Sequence, residues 1–448
     1  MIRIRQGLDL PIAGAPEQTI EAAPPVKRVA LLGDDHFGMK PTVLVKVGDS
    51  VKLGQPVFTD KKTPGVTYTS PGCGKVASLN RGAKRRFESL VIELDGDDEV
   101  SFDSYTPAEL GDLDREKAHA NLLASGLWTA LRTRPFSKVP VPSSVPHAIF
   151  VAAMDTRPLA ADPLPIIKAR QSDFVSGVRV LKRLTDGTVH VCTTPKADIS
   201  VGNPGQVRVA EFSGPHPAGL PGTHIHFIEP VSDKKTVWTI NYQDVMAIGR
   251  LFTTGKLDVE RVIALGGPVV SRPRLLRTRL GASIEDITAG SVPTEGVRLI
   301  SGSVLDGHTA EGNSAFLGCY HLQVSAISDT VGRPFLGWLA PGSDKFSVTR
   351  AFSSAITGFG KKFAFSTAAF GDTRPIIPIG VFEKVMPLDF EPVALLKSLA
   401  IGDTEVAQAL GCMELDEEDL SLCSFVDPGK SAFGTYLRNV LTEIEREG

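Results

Sequence analysis

The chain has 448 residues, of which 42% are hydrophobic and 22% are charged, and its net charge is −3. A pI near 6.3 excludes the strongly basic surface that is typical of nucleic-acid-binding proteins. The sequence contains neither a run of about 18 apolar residues nor an apolar N-terminal stretch, so we expect a cytoplasmic chain without a transmembrane helix or signal peptide.

Residues 1–102 are predicted to form a β module of short strands separated by glycine turns. Apolar and polar residues alternate over 43–58, with turns at Gly48 and Gly54. This pattern is typical of biotinyl and lipoyl domains, in which a modified lysine lies at a hairpin tip. Lys61 stands at that tip, but Asp60-Lys61-Lys62 matches neither kind of carrier. We therefore expect a lipoyl-like fold with an unmodified lysine.

Residues 103–254 alternate between helical and strand patterns, which predicts a Rossmann-like α/β domain with a mainly parallel sheet. The expected helices cover 116–132, 166–184 and 237–252. The expected strands cover 148–153, 189–192, 207–212 and 224–228.

Residues 255–330 are predicted to form a smaller α+β domain, and residues 331–448 a linker followed by a helical C-terminal domain. The smaller domain has strand patterns over 262–266, 297–300 and 319–324, and Ser283 is expected to cap a short helix. Residues 331–390 are rich in Gly, Pro and Phe and give no clear pattern. The expected helices of the tail cover 392–400, 404–410, 416–425 and 436–447.

A glycine-rich loop, Ser213–His226, follows one of the predicted strands. Its glycines Gly214, Gly219 and Gly222, together with His216, give it the shape cues of a nucleotide site. A phosphate loop presents backbone N–H groups to an anion, and the three prolines of this stretch have none. We interpret it as a degenerate cofactor loop.

Other motifs for phosphate or metal binding are incomplete. The stretches 249–257 and 424–431 approach the P-loop pattern without meeting it, which argues against NTP hydrolysis. His224 and His226 would share one face of a strand and could bind zinc, but no third ligand stands at a recognisable spacing. We expect no metal site.

The five cysteines are scattered and are expected to be reduced thiols. Cys423 and Asp427-Pro428 imitate the end of an iron–sulfur motif, with Asp in the place of the last cysteine. Cys412 and Cys423 cannot supply the four thiolates of a cluster. The four arginines within Arg272–Arg279 form either a solvated strand face or a contact with anionic lipid or an acidic subunit.

Several motifs together resemble one family over essentially the whole chain, namely the A-subunits of the sodium-translocating NADH:quinone reductases. The motifs that carry the resemblance are Gly7–Gly14, Lys61–Gly65, Asn80–Lys84, His216–His226, Thr236–Val245, Leu265–Pro268 and Glu414–Leu420. One departure is Asp427, where many members are expected to have cysteine.

The resemblance implies a lipoyl-like module, a Rossmann-like domain, a β-grasp (SLBB-like) domain and a helical tail, similar to those of the C-subunit of the Rnf complex and the flavin-binding subunit of complex I. It also implies a six-subunit complex at the bacterial inner membrane, in which this chain lies on the cytoplasmic face and contacts the membrane-embedded B-subunit. The complex would pass electrons from NADH to ubiquinone and export sodium. NADH, flavins and iron–sulfur clusters would bind partner subunits, and this chain would hold no firmly bound cofactor.

Ubiquinone is the ligand implied for this chain, although no catalytic residue can be assigned to it. A quinone headgroup needs apolar or aromatic walls and a few donors to its carbonyl oxygens. Two loops offer such residues, and we predict that they line the site: His36, Phe37, Met39 and Lys40 in the first, and Trp128, Arg132, Arg134 and Phe136 in the second.

Two other functions stay open from the sequence. The chain could be a docking scaffold that binds no quinone, or a flavin-binding dehydrogenase subunit like its relatives.

Overall fold

The computed structural model describes residues 1–202, 205–329, 335–337, 339–358, 360–369 and 374–447. The chain is a mixed α/β protein of several domains, in which three regions are built on β-sheets and the C-terminal region on helices. Within these ranges no helix has the length and apolar character needed to cross a membrane.

The first 22 residues lie outside the β module to which the strand pattern assigned them. Strand β1 (Ile2–Arg3) runs parallel to Phe212 and Ser213, and strand β2 (Glu17–Ala22) runs beside Arg274–Arg277. Each therefore extends the sheet of a later region. Alternation along a strand does not show which sheet edge it will join.

The β module itself consists of two small antiparallel sheets. One has the strand order β3-β9-β8-β5 and the other the order β4-β6-β7. Phe58 is fully buried and stacks on Tyr68 with ring centroids 4.6 Å apart. Lys61 is exposed at the turn after β6, as predicted. The strands are β3 (Arg28–Leu32), β4 (Pro41–Val43), β5 (Ser50–Val51), β6 (Pro56–Asp60), β7 (Thr67–Thr69), β8 (Gly74–Arg81) and β9 (Phe87–Leu94).

The second region has a six-stranded sheet with the order β1-β13-β12-β11-β14-β10, parallel except for β10. Helices α3 and α5 pack closely because they meet at glycines: a Cβ at Gly177 would lie 1.9 Å from the carbonyl oxygen of Val245. The elements are α1 (Arg115–Ser125), β10 (Arg132–Arg134), β11 (Ala148–Ala152), α2 (Pro163–Ala169), α3 (Gln171–Leu181), β12 (Thr188–Thr193), β13 (Val207–Ser213), α4 (Pro221–Ile228), β14 (Val237–Asn241) and α5 (Tyr242–Thr254).

Four of the element predictions for this region are wrong. The helix predicted over 166–184 is divided at Arg170, whose φ of −132° is not helical, into α2 and α3. Residues 224–228 belong to helix α4 rather than a strand, because Pro221 starts a helix at its first turn. Residues 237–241 form strand β14, and Asn241 caps the helix that follows by accepting hydrogen bonds from the N–H groups of Gln243 and Asp244. The helix predicted over 116–132 ends at Ser125, where Gly126 takes a φ of +80°.

The third region has a mixed sheet with the order β18-β17-β19-β15-β16-β2. Ser283 caps helix α6 as predicted, since its hydroxyl accepts from the N–H of Asp286. The strand predicted over 319–324 begins only at Gln323. The elements are β15 (Glu260–Gly266), β16 (Arg274–Arg279), α6 (Ile284–Thr288), β17 (Val297–Ser301), β18 (His308–Thr309) and β19 (Gln323–Ser328).

The C-terminal region is helical, and its core is centred on the fully buried Phe382 and Phe433. The helix predicted over 416–425 is divided into a 3-10 turn, Glu417–Leu420, and helix α11. The helices are α7 (Ser354–Thr357), α8 (Phe382–Val385), α9 (Pro392–Ile401), α10 (Thr404–Ala409), α11 (Ser421–Val426) and α12 (Phe433–Glu447).

Candidate functional site

A cavity of about 360 Å³ lies where the four regions of the chain meet. The carboxyl ends of β11 and β14, which are adjacent parallel strands, form part of its wall. From β11 the chain goes on to form β12 on one side, and it later forms β14 on the other side. Ligands of open α/β sheets bind at such a reversal of strand order. The fold thus places this central cavity at a position that favours ligand binding.

Two arginines of β10 line the central cavity and pair with acidic side chains of the tail. Arg134 is only 2% exposed, and its Nη1 atom lies 3.0 Å from Oδ2 of Asp419. Its Nη2 atom lies 3.2 Å from Oε1 of Glu418. Arg132 donates from Nη2 to Oδ2 of Asp416 at 2.9 Å. The acidic run of the tail is therefore fixed onto the second region by buried charge pairs.

A third arginine extends this network to the other regions. Arg157 follows β11, and its Nε atom donates to Oδ2 of Asp306 at 2.7 Å. Its guanidinium also pairs with Asp155 and with Glu418. The second, third and fourth regions thus share one set of ion pairs around the central cavity.

The acidic residues of the network differ in their protonation. Burial alone would raise the pKa of Asp416, but Arg134 and Arg132 outweigh it and hold that pKa well below the ordinary value. Burial raises the pKa of Glu418 to about 6, and burial together with Asp416 raises the pKa of Glu417 to about 7. Six carboxyl groups face four guanidinium groups in this network, and burial also raises the pKa of Asp155 and of Asp419. The members are Arg132, Arg134, Arg157 and Arg438, with Asp155, Asp306, Asp416, Glu417, Glu418 and Asp419.

Arg132, one of these paired arginines, also lies against an aromatic wall of the cavity and keeps one donor unused. The guanidinium of Arg132 lies 4.8 Å from the ring centroid of Tyr320. Its Nε–H is buried and has no hydrogen-bond partner in the part of the chain that the structure describes. The Tyr320 hydroxyl donates to the carbonyl oxygen of Thr129 at 2.8 Å. Phe37 also lines the cavity, and the guanidinium of Arg438 lies 3.8 Å from its ring centroid.

His36 lies in a second, smaller cavity of about 50 Å³. It is 7% exposed, its ring centroid lies 4.8 Å from that of Tyr68, and its Nδ1 atom lies 3.3 Å from the Tyr320 hydroxyl. Burial, with a smaller effect of Arg132, lowers the pKa of His36 to about 3, so its imidazole is neutral. Tyr320 lines both cavities and separates them.

The other residues predicted for the quinone site lie apart from both cavities. Trp128 is fully buried, donates from Nε1 to the carbonyl oxygen of Pro140 at 2.9 Å and packs against Trp238. Met39 packs against the core and Lys40 is exposed. Phe136 packs on the helical tail. The structure therefore brings together Phe37, Arg132 and Arg134, with His36 behind Tyr320.

The degenerate cofactor loop is closed by contacts within the chain. A Cβ at Gly214 would lie 2.3 Å from the carbonyl oxygen of Ile4. The N–H of His216 donates to Oδ1 of Asp9 at 2.9 Å. The N–H of Gly219 donates to the Thr156 hydroxyl at 2.9 Å. Two donors that a phosphate could have used are thus already bound.

The start of α4 is covered by a carboxylate of the tail. A Cβ at Gly222 would lie 2.3 Å from Oδ1 of Asp419, so this carboxylate rests directly on the first turn of the helix. A helix N-terminus favours a negative charge. Oδ2 of Asp419 accepts hydrogen bonds from Arg134 and from the N–H of Asp416. Asp419 therefore covers the first turn of α4, although its Oδ1 atom accepts no hydrogen bond from the described residues.

The two histidines of α4 have separate partners. His224 is fully buried, with Nε2 3.0 Å from the carbonyl oxygen of Ala218, and burial lowers its pKa to about 3. Nδ1 of His226 lies 2.9 Å from Oε2 of Glu414. The strand that was expected to align them is a helix, so they do not form an H-x-H pair on one face. No cluster of three or more potential metal ligands occurs within the described ranges.

The cysteines of the tail are core residues. Cys412 and Cys423 are buried, and burial raises the pKa of each thiol to about 12. Metal ligation requires thiolates, which this environment disfavours. Asp427 is also buried, and its Oδ2 accepts from the N–H of Ser431 at 2.9 Å. The residues at the imitated cluster motif thus serve the fold of the tail.

The arginine-rich strand Arg272–Arg279 is paired within the chain. Arg272 and Arg274 both pair with Glu21, and Arg277 lies 3.6 Å from Glu260. Arg279 donates to the carbonyl oxygen of Pro71. This favours the solvated strand face over a docking patch.

Sequence reasoning missed the residues that complete the central cavity, namely Tyr320, Arg157 and the acidic run 416–419. In the sequence this run stands out only as part of a family motif. Its signal is the density of acidic residues beside an otherwise apolar helix, since buried acids require cationic partners.

Models of three domains from one family match the chain. The NqrA N-terminal barrel-sandwich hybrid domain matches residues 2–95, the NqrA second alpha/beta domain residues 113–257 and the NQRA C-terminal domain residues 262–312.

Full-length relatives agree with this match. The A-subunits of the Na(+)-translocating NADH-quinone reductases of Hahella chejuensis and Neisseria gonorrhoeae are each 55% identical over 448 residues, and that of Serratia proteamaculans is 56% identical over 450. In all three cases 100% of both chains is covered. The chain therefore belongs to the NqrA family, the A-subunits of the Na+-translocating NADH-quinone reductases.

Proposed function

We propose that this chain is the peripheral subunit of the complex that contacts the quinone, and that the central cavity receives the quinone headgroup. Membership of the family makes the chain a subunit of a Na+-pumping NADH-quinone reductase, an oxidoreductase complex. NADH, flavins and iron–sulfur clusters are assigned to partner subunits, and ubiquinone is the ligand of this one. Its place is the cytoplasmic face of the bacterial inner membrane, in contact with the membrane-embedded B-subunit.

The same proposal assigns the fold more finely. The six-stranded sheet with a crevice between β11 and β14 is assigned as Rossmann-like, and the third region as β-grasp. The first module is assigned as lipoyl-like without a modified lysine. The proposed domain boundaries are 1–102, 103–254, 255–330 and 331–448, with strands β1 and β2 of the first 22 residues extending the sheets of the second and third regions.

The observation that carries the quinone proposal is that Arg132, Phe37 and Tyr320 line one cavity, and that the buried Nε–H of Arg132 has no partner among the described residues. A quinone carbonyl is an acceptor without a proton, so it pairs with such a donor, and its flat ring can lie against Tyr320 and Phe37. A volume of about 360 Å³ is within the usual range for small-molecule sites. Burying a donor without an acceptor costs about 1–3 kcal/mol, which a bound carbonyl would recover.

Quinone titration of the purified chain tests this proposal. Arg132→Gln is expected to weaken the affinity for a short-chain ubiquinone about tenfold or more, since it removes a charged donor. Phe37→Ala removes part of the wall and should weaken it less. Arg272→Gln, at an exposed arginine distant in the chain, is the matched control and should leave the affinity unchanged. An unchanged affinity in Arg132→Gln would exclude the central cavity.

His36 and Phe136 test the wider prediction that both loops reach the ligand. His36 is separated from the central cavity by Tyr320, and Phe136 packs on the tail. If His36→Ala and Phe136→Ala both leave the affinity unchanged while Arg132→Gln weakens it, the site is confined to Phe37, Arg132 and Tyr320.

A docking scaffold without a quinone site is the second candidate function. It is favoured by the charge pairs that fix the tail to the second and third regions, because a rigid body offers constant surfaces to other subunits. The absence of any saturable quinone binding by the isolated chain, with assembly of the complex intact, would support it.

A flavin-binding subunit fits the residues poorly. A flavin phosphate needs free N–H groups at a loop or helix start, whereas the N–H groups of His216 and Gly219 are taken and Asp419 covers Gly222. A purified chain that keeps the visible absorbance of a flavin after gel filtration would reverse this.

A further inference from the structure

The described residues of the segment 335–379 expose an unusual share of the large apolar side chains of this protein. Ile356 is 88% exposed and Phe335 is 94% exposed. Six of the fifteen large apolar residues that are exposed in the described part of the chain belong to this segment, which is about a tenth of the sequence. They are Phe335, Leu336, Leu339, Ile356, Ile377 and Ile379.

The same segment is basic, whereas the chain is acidic. It contains five basic and two acidic residues, a net charge of +3, while the whole chain carries −3. Arg350, Lys362 and Arg374 are exposed, and none of them forms an ion pair with another described residue. By contrast, the arginines of strand β16 have partners within the chain.

The segment is held to the body of the protein by aromatic side chains. The ring centroid of Phe346 lies 5.9 Å from those of Phe363 and Phe365 and 6.4 Å from that of Phe425. Phe425 belongs to α11, so these rings join the segment to the helical tail. The apolar residues that are exposed are thus additional to those that the fold uses for anchoring.

We propose that the described residues of the segment 335–379, namely 335–337, 339–358, 360–369 and 374–379, bind the surface of an anionic lipid bilayer. Exposed Phe, Leu and Ile side chains enter the boundary between headgroups and acyl chains, and unpaired Lys and Arg side chains bind lipid phosphates. The proposal rests on the membrane setting of the proposed function, but it does not depend on the quinone site. No membrane-spanning helix occurs in the part of the chain that the structure describes. The proposed surface would give this chain a direct contact with the membrane.

Sedimentation of the full-length chain with lipid vesicles tests the proposal. We expect the chain to bind vesicles of phosphatidylcholine mixed with phosphatidylglycerol, to bind phosphatidylcholine vesicles much more weakly, and to lose binding as salt is added. The triple variant Arg350→Gln, Lys362→Gln, Arg374→Gln should reduce partitioning about a hundredfold at low salt.

Matched variants separate this effect from changes in net charge or apolar content. Lys75→Gln, Lys117→Gln, Arg250→Gln removes three exposed charges elsewhere and should keep vesicle binding. Ile356→Ser should weaken binding, whereas Ile401→Ser, at a residue that is 78% exposed on α9, should not. Hydrogen exchange gives a second readout, in which vesicles should protect 335–379 of the wild-type chain.

Equal binding to neutral and anionic vesicles would overturn the proposal, as would no binding at all. Protection of 335–379 by detergent-solubilised partner subunits, with no protection by vesicles, would also overturn it and assign the surface to a protein partner. Quinone titration of the triple variant distinguishes the two proposals, since its quinone affinity should equal that of the wild type.

Discussion

The glycine loop Ser213–His226 and the wall of the central cavity around Arg132 differ in whether their hydrogen-bond donors already have partners within the chain. The loop has the more recognisable motif, but its N–H groups at His216 and Gly219 are bound within the chain, and Asp419 covers Gly222. The wall has no named motif, yet it keeps a buried donor without a partner among the described residues, beside an aromatic ring. Resemblance to a nucleotide-binding motif thus does not mean that the N–H groups of the loop are free to meet a ligand.

The largest effect is expected from the removal of Arg134, which pairs with the acidic run 416–419. Arg134→Ala would leave Asp419 buried without its main cation and would remove one of the cations of Asp416 and Glu418, and we expect a loss of about 3–5 kcal/mol in the free energy of unfolding. Urea denaturation measures it. Arg86→Ala, at a side chain that is 66% exposed and pairs with Asp34, should cost at most about 1 kcal/mol. Similar values for the two variants would mean that the network contributes little.

Asp419→Gly would reopen the anion position at the start of α4. It removes the partner of Arg134 and of the Asp416 N–H, so a loss of about 1–3 kcal/mol is expected. Formate or phosphate should then raise the Tm of the variant, because an added anion can replace the carboxylate between Arg134 and the helix start. Asp403→Gly, which removes the N-cap of α10, should not respond to anions. A variant whose Tm ignores both anions would show that Asp419 does not occupy an anion site.

The pH dependence of stability reports on the acids of the network. The pKa of Glu418 is raised to about 6 in the folded chain from 4.5, so the folded state binds this proton more tightly than the unfolded state. The contribution of protonated Glu418 to the free energy of unfolding is fully present below about pH 4.5. It is lost as the pH rises through about 6, by about 2 kcal/mol in total.

Glu418→Gln should therefore flatten the decline of the unfolding free energy over this window, measured by urea denaturation at several pH values. Glu405→Gln, at an exposed residue of α10, should keep the wild-type slope. A slope unchanged in Glu418→Gln would contradict a raised pKa at this site.

The smallest effect is expected at the hairpin tip of the first module. Lys61 is exposed, so Lys61→Ala should change the free energy of unfolding by no more than about 0.5 kcal/mol. The intact mass of wild-type chain produced in a host with lipoyl and biotinyl ligases should equal the mass of the unmodified polypeptide. An added lipoyl or biotinyl mass would make the module a carrier.

The sequence predicted those features that depend on neighbours along the chain. The alternation over 43–58 predicted the β module, and Ser283 was correctly expected to cap a helix. Errors arose where local cues competed. Pro221 begins a helix in a stretch that looks like a strand, and Asn241 divides 237–252 into a strand and a helix.

The candidate site was predicted only in part, because residue type alone does not show whether a side chain lines a cavity or fills the core. Phe37, Arg132 and Arg134 were chosen for their chemistry and do line the central cavity, whereas Trp128 was chosen on the same grounds and belongs to the core. Composition cannot distinguish an aromatic wall from an aromatic core residue, because both bury the same surface.

By itself the sequence determined the family resemblance, the succession of β and helical regions, and the loss of donors from the glycine loop, since each depends on residue identity or short-range preference. Only the tertiary structure decided that Asp419 meets Arg134 across 285 residues, that it rests on Gly222, and that Tyr320 separates two cavities. These contacts form because burial makes an unpaired charge costly, and which charges are buried together is decided by the packing of all four regions.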